Sequence, residues 1–189
     1  MDTIIRWEQK RRFIICDCET FSKLEMKIYH NSPQRSDSNI GRAYNDFMQL
    51  LNSEDWACFT DLDTCFLTRE QPELIEQAIK EYPDVGMLVC YTNRLGQWDQ
   101  LLNIKDYNTD INYHIKIAKE QQELPFSVRP LKGLPSGMLM VIKKATWEKV
   151  GGFLNGFHID NNYGFRLLHN GYKILLITNL YLFHLRDLK

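Results

Sequence analysis

The feature that most constrains this chain is a series of short apolar runs, six or seven residues each: "FIICDC" (13–18), "LEMKIYH" (24–30), "WACFTDL" (56–62), "VGMLVCY" (85–91), "GMLMVIK" (137–143), "YKILLIT" (172–178) and "LYLFHL" (180–185). Several are apolar without interruption, as strands covered on both faces must be. Helical patterns lie between them. "QPELIEQAIKEYP" places Pro72 near a helix start and repeats apolar residues at Leu74, Ile75, Ala78, Ile79 and Tyr82. "YNDFMQLLN" puts Tyr44, Phe47, Met48 and Leu51 on one stripe, and "NNYGFRLLHNGYK" reads as a helix stopped by Gly171. Alternating strands and helices predict an α/β sandwich with a mostly parallel sheet. The first two runs fit this less well. About six residues separate them, and a helical crossover between parallel strands needs about a dozen.

The stretch 92–132 breaks the rhythm. It is polar, carries an amphipathic pattern at Ile111, Ile115 and Ala118, and ends in coil containing Pro125, Pro130 and Pro135. It reads as an insertion over one end of the sheet, where loops build binding sites.

A chain of 189 residues is the size of one domain. A formal net charge of -1 supplies no global field that would draw it to nucleic acid or an anionic membrane. The basic cluster Lys10, Arg11 and Arg12 reads as a solvated face, with a peripheral membrane contact as the second reading. No run of 18 apolar residues and no signal-peptide pattern is present, so neither a transmembrane segment nor export is expected. The cysteines (Cys16, Cys18, Cys58, Cys65 and Cys90) are odd in number, and four of them lie in apolar runs. This predicts free thiols and a cytoplasmic setting. Cys16 and Cys18 lack a second Cys/His pair at zinc-finger spacing.

"WACFTDLDTCFLT" (56–68) carries the chemistry. Asp61 and Asp63 end an apolar run, and on an extended backbone residues i and i+2 face the same way, toward one Mg²⁺ or Mn²⁺. Chance alone supplies about one D-x-D in a chain with this many aspartates, so the motif needs its neighbours. Two solvated aspartates opening the turn before "TREQP" are the plain alternative. Upstream, "SDSNIGRAYNDF" (36–47) brings Asn39, Gly41, Arg42 and Asn45 into a helix start that suits phosphate. Downstream, Asp160 precedes a helix carrying Arg166, and His184 sits in the apolar "YLFHLR". A histidine in such a run is more often structural than a ligand.

Together, "NIGRAYN", "FTDLDTCFL", "KGLPSGMLMVIKK" and "GGF…HID…FRLLHNGYKI…FHLR" resemble, in order and spacing, glycosyltransferases of the GT-A fold, especially family 2, over roughly residues 24–186. The resemblance implies a GT-A-like three-layer sandwich, compact or N-terminally trimmed. About 1–90 would form the nucleotide- and metal-binding half and about 91–189 the acceptor half. It implies a metal site of Asp61, Asp63 and His184 holding Mn²⁺ or Mg²⁺, and Asp160 as the general base of an inverting transfer. Donor contacts would come from Asp17, Asn39, Gly41, Arg42, Asn45, Asp61, Ser136 and Gly137. The donor would be a UDP- or GDP-sugar, and the acceptor a glycan or other hydroxyl. One departure stands out: the family usually places an acid before the catalytic aspartate, and here that position is Ile159.

Three rival readings remain. A haloacid-dehalogenase-type phosphatase would use Asp61 as nucleophile, but expects its strand early and an adjacent acid pair later. A sugar-nucleotide-forming nucleotidyltransferase needs a Gly-rich basic loop where this chain offers only "SPQRSDSN". A trimmed domain that binds nucleotide or glycan without turnover fits the short N-terminal region and Ile159.

Overall fold

The structure is a computed structural model that describes residues 26–33, 39–103, 106–156 and 158–185. The expected strand at 13–18, the cysteines Cys16 and Cys18, the basic cluster at 10–12 and Asp17 lie outside the described residues. The chain order is β1 (Ile28–Asn31), α1 (Ile40–Gln49), β2 (Trp56–Thr60), β3 (Thr64–Cys65), α2 (Gln71–Glu81) and β4 (Met87–Thr92). A 3-10 turn (Trp98–Gln100), α3 (Ile111–Gln122), β5 (Val128–Pro130), β6 (Leu139–Lys143), α4 (Lys144–Val150), α5 (Ile159–His169) and β7 (Ile174–His184) follow.

The strands form one mixed sheet in the order β1-β2-β6-β4-β7-β3, with β5 also paired to β7. The α/β class and the mixed sheet are as expected. The parallel predominance is not: β1/β2 and β4/β7 are parallel, whereas β6 runs antiparallel to both its neighbours, as do β3 and β5 to β7. The reason lies in the connections. Between β4 and β6 the chain runs through α3 and then β5, which pairs with β7, so no single strand-helix-strand crossover joins β4 to β6 and fixes it parallel.

The unbroken apolar runs bury both faces. Trp56, Cys58, Leu88, Cys90, Leu139 and Val141 face Ile75, Ala78 and Ile79 of α2. Ala57, Phe59, Met87, Val89, Met140 and Ile142 face Tyr44 and Met48 of α1 and Tyr163 and Leu167 of α5. Alternate residues of one strand therefore serve opposite cores, which removes the polar/apolar alternation of a one-sided strand.

The runs 172–178 and 180–185 are one continuous strand rather than a pair. Cys90 pairs with Ile177 but Tyr91 with Tyr181, so β7 absorbs Thr178, Asn179 and Leu180 in a bulge. Thr178 turns to β5 instead, bonding Ser127 through both backbone and hydroxyl. The bulge also shifts the side-chain phase: Leu175 and Ile177 share a core with Leu180 and Leu182.

Two further expectations change. Part of the predicted Pro-containing coil is β5, where Pro130 is tolerated because β5 lies at the sheet edge. In α3 the buried face is His114 and Ala118, while Ile111 is exposed. His114 bonds the Tyr181 hydroxyl and the Asn108 carbonyl and stacks on Phe183. The expected stop of α5 is found, with Gly171 at φ +80°. Cys58, Cys65 and Cys90 are free, and burial pushes the Cys58 thiol up to about 12. Among the described residues, no helix is long and apolar enough to cross a membrane.

Candidate metal centre

β2 ends at Thr60, and the chain then turns instead of continuing extended. The Asp61 carbonyl accepts from both the backbone N–H (3.2 Å) and the hydroxyl (2.7 Å) of Thr64, closing a tight turn over Leu62 and Asp63. The two carboxylates therefore converge through a turn, a correction to the extended i, i+2 geometry expected from sequence.

The turn feeds β3, which pairs antiparallel with the end of β7: Thr64 lies opposite His184 and Cys65 opposite Phe183. The Leu185 N–H donates to the Asp63 carbonyl at 2.7 Å. This two-residue strand is what carries His184 to the aspartates. Ligand atoms of Asp61, Asp63 and His184 all lie within 4.8 Å of one another, an arrangement that could hold one metal ion.

The surroundings of His184 define its chemistry. Its ring is almost wholly buried, with Nδ1 2.9 Å from the Arg94 carbonyl oxygen. A carbonyl oxygen only accepts, so Nδ1 carries the proton and the Nε2 lone pair is directed elsewhere. Nε2 lies 3.3 Å from Asp63 Oδ2. Two acceptors at that separation repel unless a positive charge, a proton or a metal ion, stands between them. The donor set of two carboxylates and one imidazole, with its tautomer fixed by a carbonyl behind it, fits a divalent cation such as Mn²⁺ or Mg²⁺.

Asn93 and Arg94, which sequence reasoning passed over, hold this corner. Asn93 Oδ1 accepts from the His184 N–H (2.8 Å) and Nδ2 donates to the His184 carbonyl (3.1 Å). Arg94 Nη2 donates to the Leu185 carbonyl at 2.7 Å. The available signal was weak: a polar pair immediately after an unbroken apolar strand, where functional loops begin.

Asp160 opens α5. Its Oδ2 accepts from the Gly137 N–H at 2.7 Å and its Oδ1 from the Asn161 N–H at 2.8 Å. The next carbonyl along, that of Met138, accepts from the Asp61 N–H at 3.2 Å. Asp160 and Asp61 thus flank the Gly137–Met138 segment that enters β6. Tyr44 of α1 senses both. Burial raises its hydroxyl pKa well above the usual value, and the carboxylates of Asp61 and Asp160 add to that. Sequence placed Tyr44 only on an apolar stripe. Ser136 is held by Gln100, its N–H donating to Gln100 Oε1 at 2.7 Å.

Of the four α1 residues expected to meet a donor, Asn39, Gly41 and Asn45 have contacts within the fold. Asn39 caps the helix by accepting from the Arg42 N–H, and the Arg42 side chain is exposed. Gly41 sits against backbone, since a Cβ there would lie 2.3 Å from the Leu154 carbonyl oxygen. Asn45 clamps the 151–155 loop: Nδ2 donates to the Phe153 carbonyl (2.8 Å), and Oδ1 accepts from the Phe153 N–H (2.7 Å) and Trp147 Nε1 (3.1 Å). Arg166 serves the same loop through the carbonyls of Val150, Gly151 and Gly152. The structure thus brings together Asp61, Asp63 and His184, with Asp160 and Gly137 alongside, and ties Gly41 and Asn45 to a structural loop. Comparison of the chain with family models and with curated proteins finds no match.

Proposed function

We propose that this chain is a metal-dependent glycosyltransferase of GT-A-like fold, moving a sugar from a nucleotide-diphosphate donor to an acceptor hydroxyl. The observation that carries the reading is the Asp61–Asp63–His184 cluster, in which a carbonyl fixes His184 so that Nε2 turns toward a carboxylate. Its position beyond the end of a buried strand in an α/β sheet, with Asp160 across one peptide segment, supports the same reading.

Asp61, Asp63 and His184 would hold the ion, Mn²⁺ or Mg²⁺, whose chemistry when bound is to neutralise a departing diphosphate. Asp160 would take the proton of the attacking hydroxyl. Its two oxygens each accept one backbone N–H, which fixes the carboxylate and leaves further lone pairs for that proton. Attack opposite the leaving group inverts the anomeric centre.

The same two bonds favour a second reading, in which Asp160 only anchors the Gly137 loop and the domain binds a nucleotide or glycan without turnover. Turnover of UDP- and GDP-sugars with and without EDTA separates the two. The transferase reading expects metal-dependent turnover and a kcat that falls by about 10² or more in Asp160→Asn, with nucleotide binding kept. Metal-dependent UDP binding without turnover of any donor would favour the second reading.

A further inference from the structure

Tyr107 is 65% exposed, on a loop tied down by a run of hydrogen bonds. The Asp106 N–H donates to the Asn93 carbonyl (2.8 Å), and Asn93 Nδ2 donates back to the Asp106 carbonyl (3.3 Å). The Asp106 carboxylate then accepts from the Asn108 N–H, and Asn108 Oδ1 from the Asp110 N–H, each at 2.8 Å. Behind this run of Asx turns, the Asn108 carbonyl accepts from buried His114 Nε2 at 2.7 Å. The loop is therefore held by its own side chains and by the core. A large apolar ring presented to water on a preorganised loop loses little entropy when it is covered.

Its position relates it to the metal centre. The Arg94 guanidinium carbon lies 5.1 Å from the Tyr107 ring centroid, so one face of the ring is covered by a cation. The same Arg94 carries the carbonyl that fixes His184 Nδ1 and the Nη2 that bonds Leu185. One residue thus links the exposed ring to the metal-ligating histidine. In the same loop, the carboxylate of Asp106, the residue before Tyr107, accepts from the hydroxyl of half-exposed Tyr113, and that hydrogen bond raises the Tyr113 pKa.

We propose that Tyr107 is the stacking platform for a pyranose ring of the acceptor, so that the acceptor class is a glycan; this rests on the transferase reading above. A sugar offers an apolar C–H face and hydroxylated edges, which match one free aromatic face beside a carboxylate and a phenol. A protein partner needs about 800 Å² on its side, far more than two tyrosines supply. The Arg94 cation covers one face of the ring, and buried His114 anchors the loop through the Asn108 carbonyl.

The test uses the full chain with Mn²⁺ and UDP, and follows binding of lactose, maltose and cellobiose by saturation-transfer NMR and titration. Binding of at least one disaccharide is expected. Tyr107→Ala should weaken it about tenfold, while Tyr107→Phe, which keeps the ring, should match wild type. Mn²⁺–UDP binding should be unchanged in both variants. Equal disaccharide binding by Tyr107→Ala overturns the proposal, as does wild type that takes Mn²⁺–UDP but no disaccharide. A variant that loses Mn²⁺–UDP instead assigns the ring to the nucleobase and also overturns it. If wild type binds neither UDP nor GDP, the transferase reading fails, and the disaccharide comparison still decides Tyr107.

Discussion

Replacing Asn45 with alanine discriminates sharply between a donor contact and a structural clamp. The change removes three hydrogen bonds, two of them to the backbone of Phe153, which is 3% exposed. Trp147 is only half-buried and recovers a water partner, so its bond contributes little. The Phe153 N–H and carbonyl have no such recourse. Leaving a buried polar group unsatisfied costs about 1–3 kcal/mol each, and partial relaxation of the loop brings the sum to about 3 kcal/mol. For a chain of this length that is a fall in Tm of about 6–12 °C. Urea denaturation should show the midpoint falling at constant m-value. Binding of Mn²⁺–UDP, measured well below the variant's Tm, should stay within about twofold of wild type. A variant with native Tm and lost nucleotide binding would refute the structural assignment and return Asn45 to the donor site.

Two further outcomes follow from contacts away from the metal centre. Burial pushes the Asp99 carboxyl up, but its bidentate bond to Arg129 and the Lys132 N–H outweigh this and leave its pKa below the usual value. A depressed pKa contributes stability that is complete above the unfolded value of about 3.9 and is lost as pH falls through the folded one. Between pH 6 and pH 3, stability should therefore fall more steeply in wild type than in Asp99→Asn, and parallel profiles would contradict the pairing. Gly41→Ala gains about 1 kcal/mol of helix propensity but forces a methyl against the Leu154 carbonyl, an overpacking of about 1–3 kcal/mol. A net loss of Tm by differential scanning calorimetry is expected, and a gain would show that the 151–155 loop yields.

What the sequence revealed depended on the range of the forces involved. Unbroken apolar runs announced strands covered on both faces, and Gly171 announced a helix end, because both are written in local composition. The direction of β6 was not legible, since it depends on the long path from Thr92 to Met138 rather than on any residue in the strand. The pair Asp61 and Asp63 was visible as a motif, but their turn was not: it follows from the Thr64 hydroxyl bonding back to the Asp61 carbonyl. His184 needed β3, two residues long and too short to carry any periodic signal. Asn93 and Arg94 act through bonds spanning about ninety residues of chain, which local patterning does not encode. Asn45 looked like a ligand residue because polar side chains at a helix start bind phosphate. In the fold, a loop from far downstream occupies it.

The central claim is that Asp61, Asp63 and His184 form one divalent-cation site. Titration of the full chain with Mn²⁺, reading free ion by electron paramagnetic resonance, tests it most directly. One saturable site per chain is expected, tightened by UDP, and at least about tenfold weaker in Asp63→Ala. Asp63 is exposed, so that variant should keep the wild-type Tm in the absence of metal. Asp63→Ala binding Mn²⁺ as tightly as wild type, or no saturable binding by wild type, would contradict it.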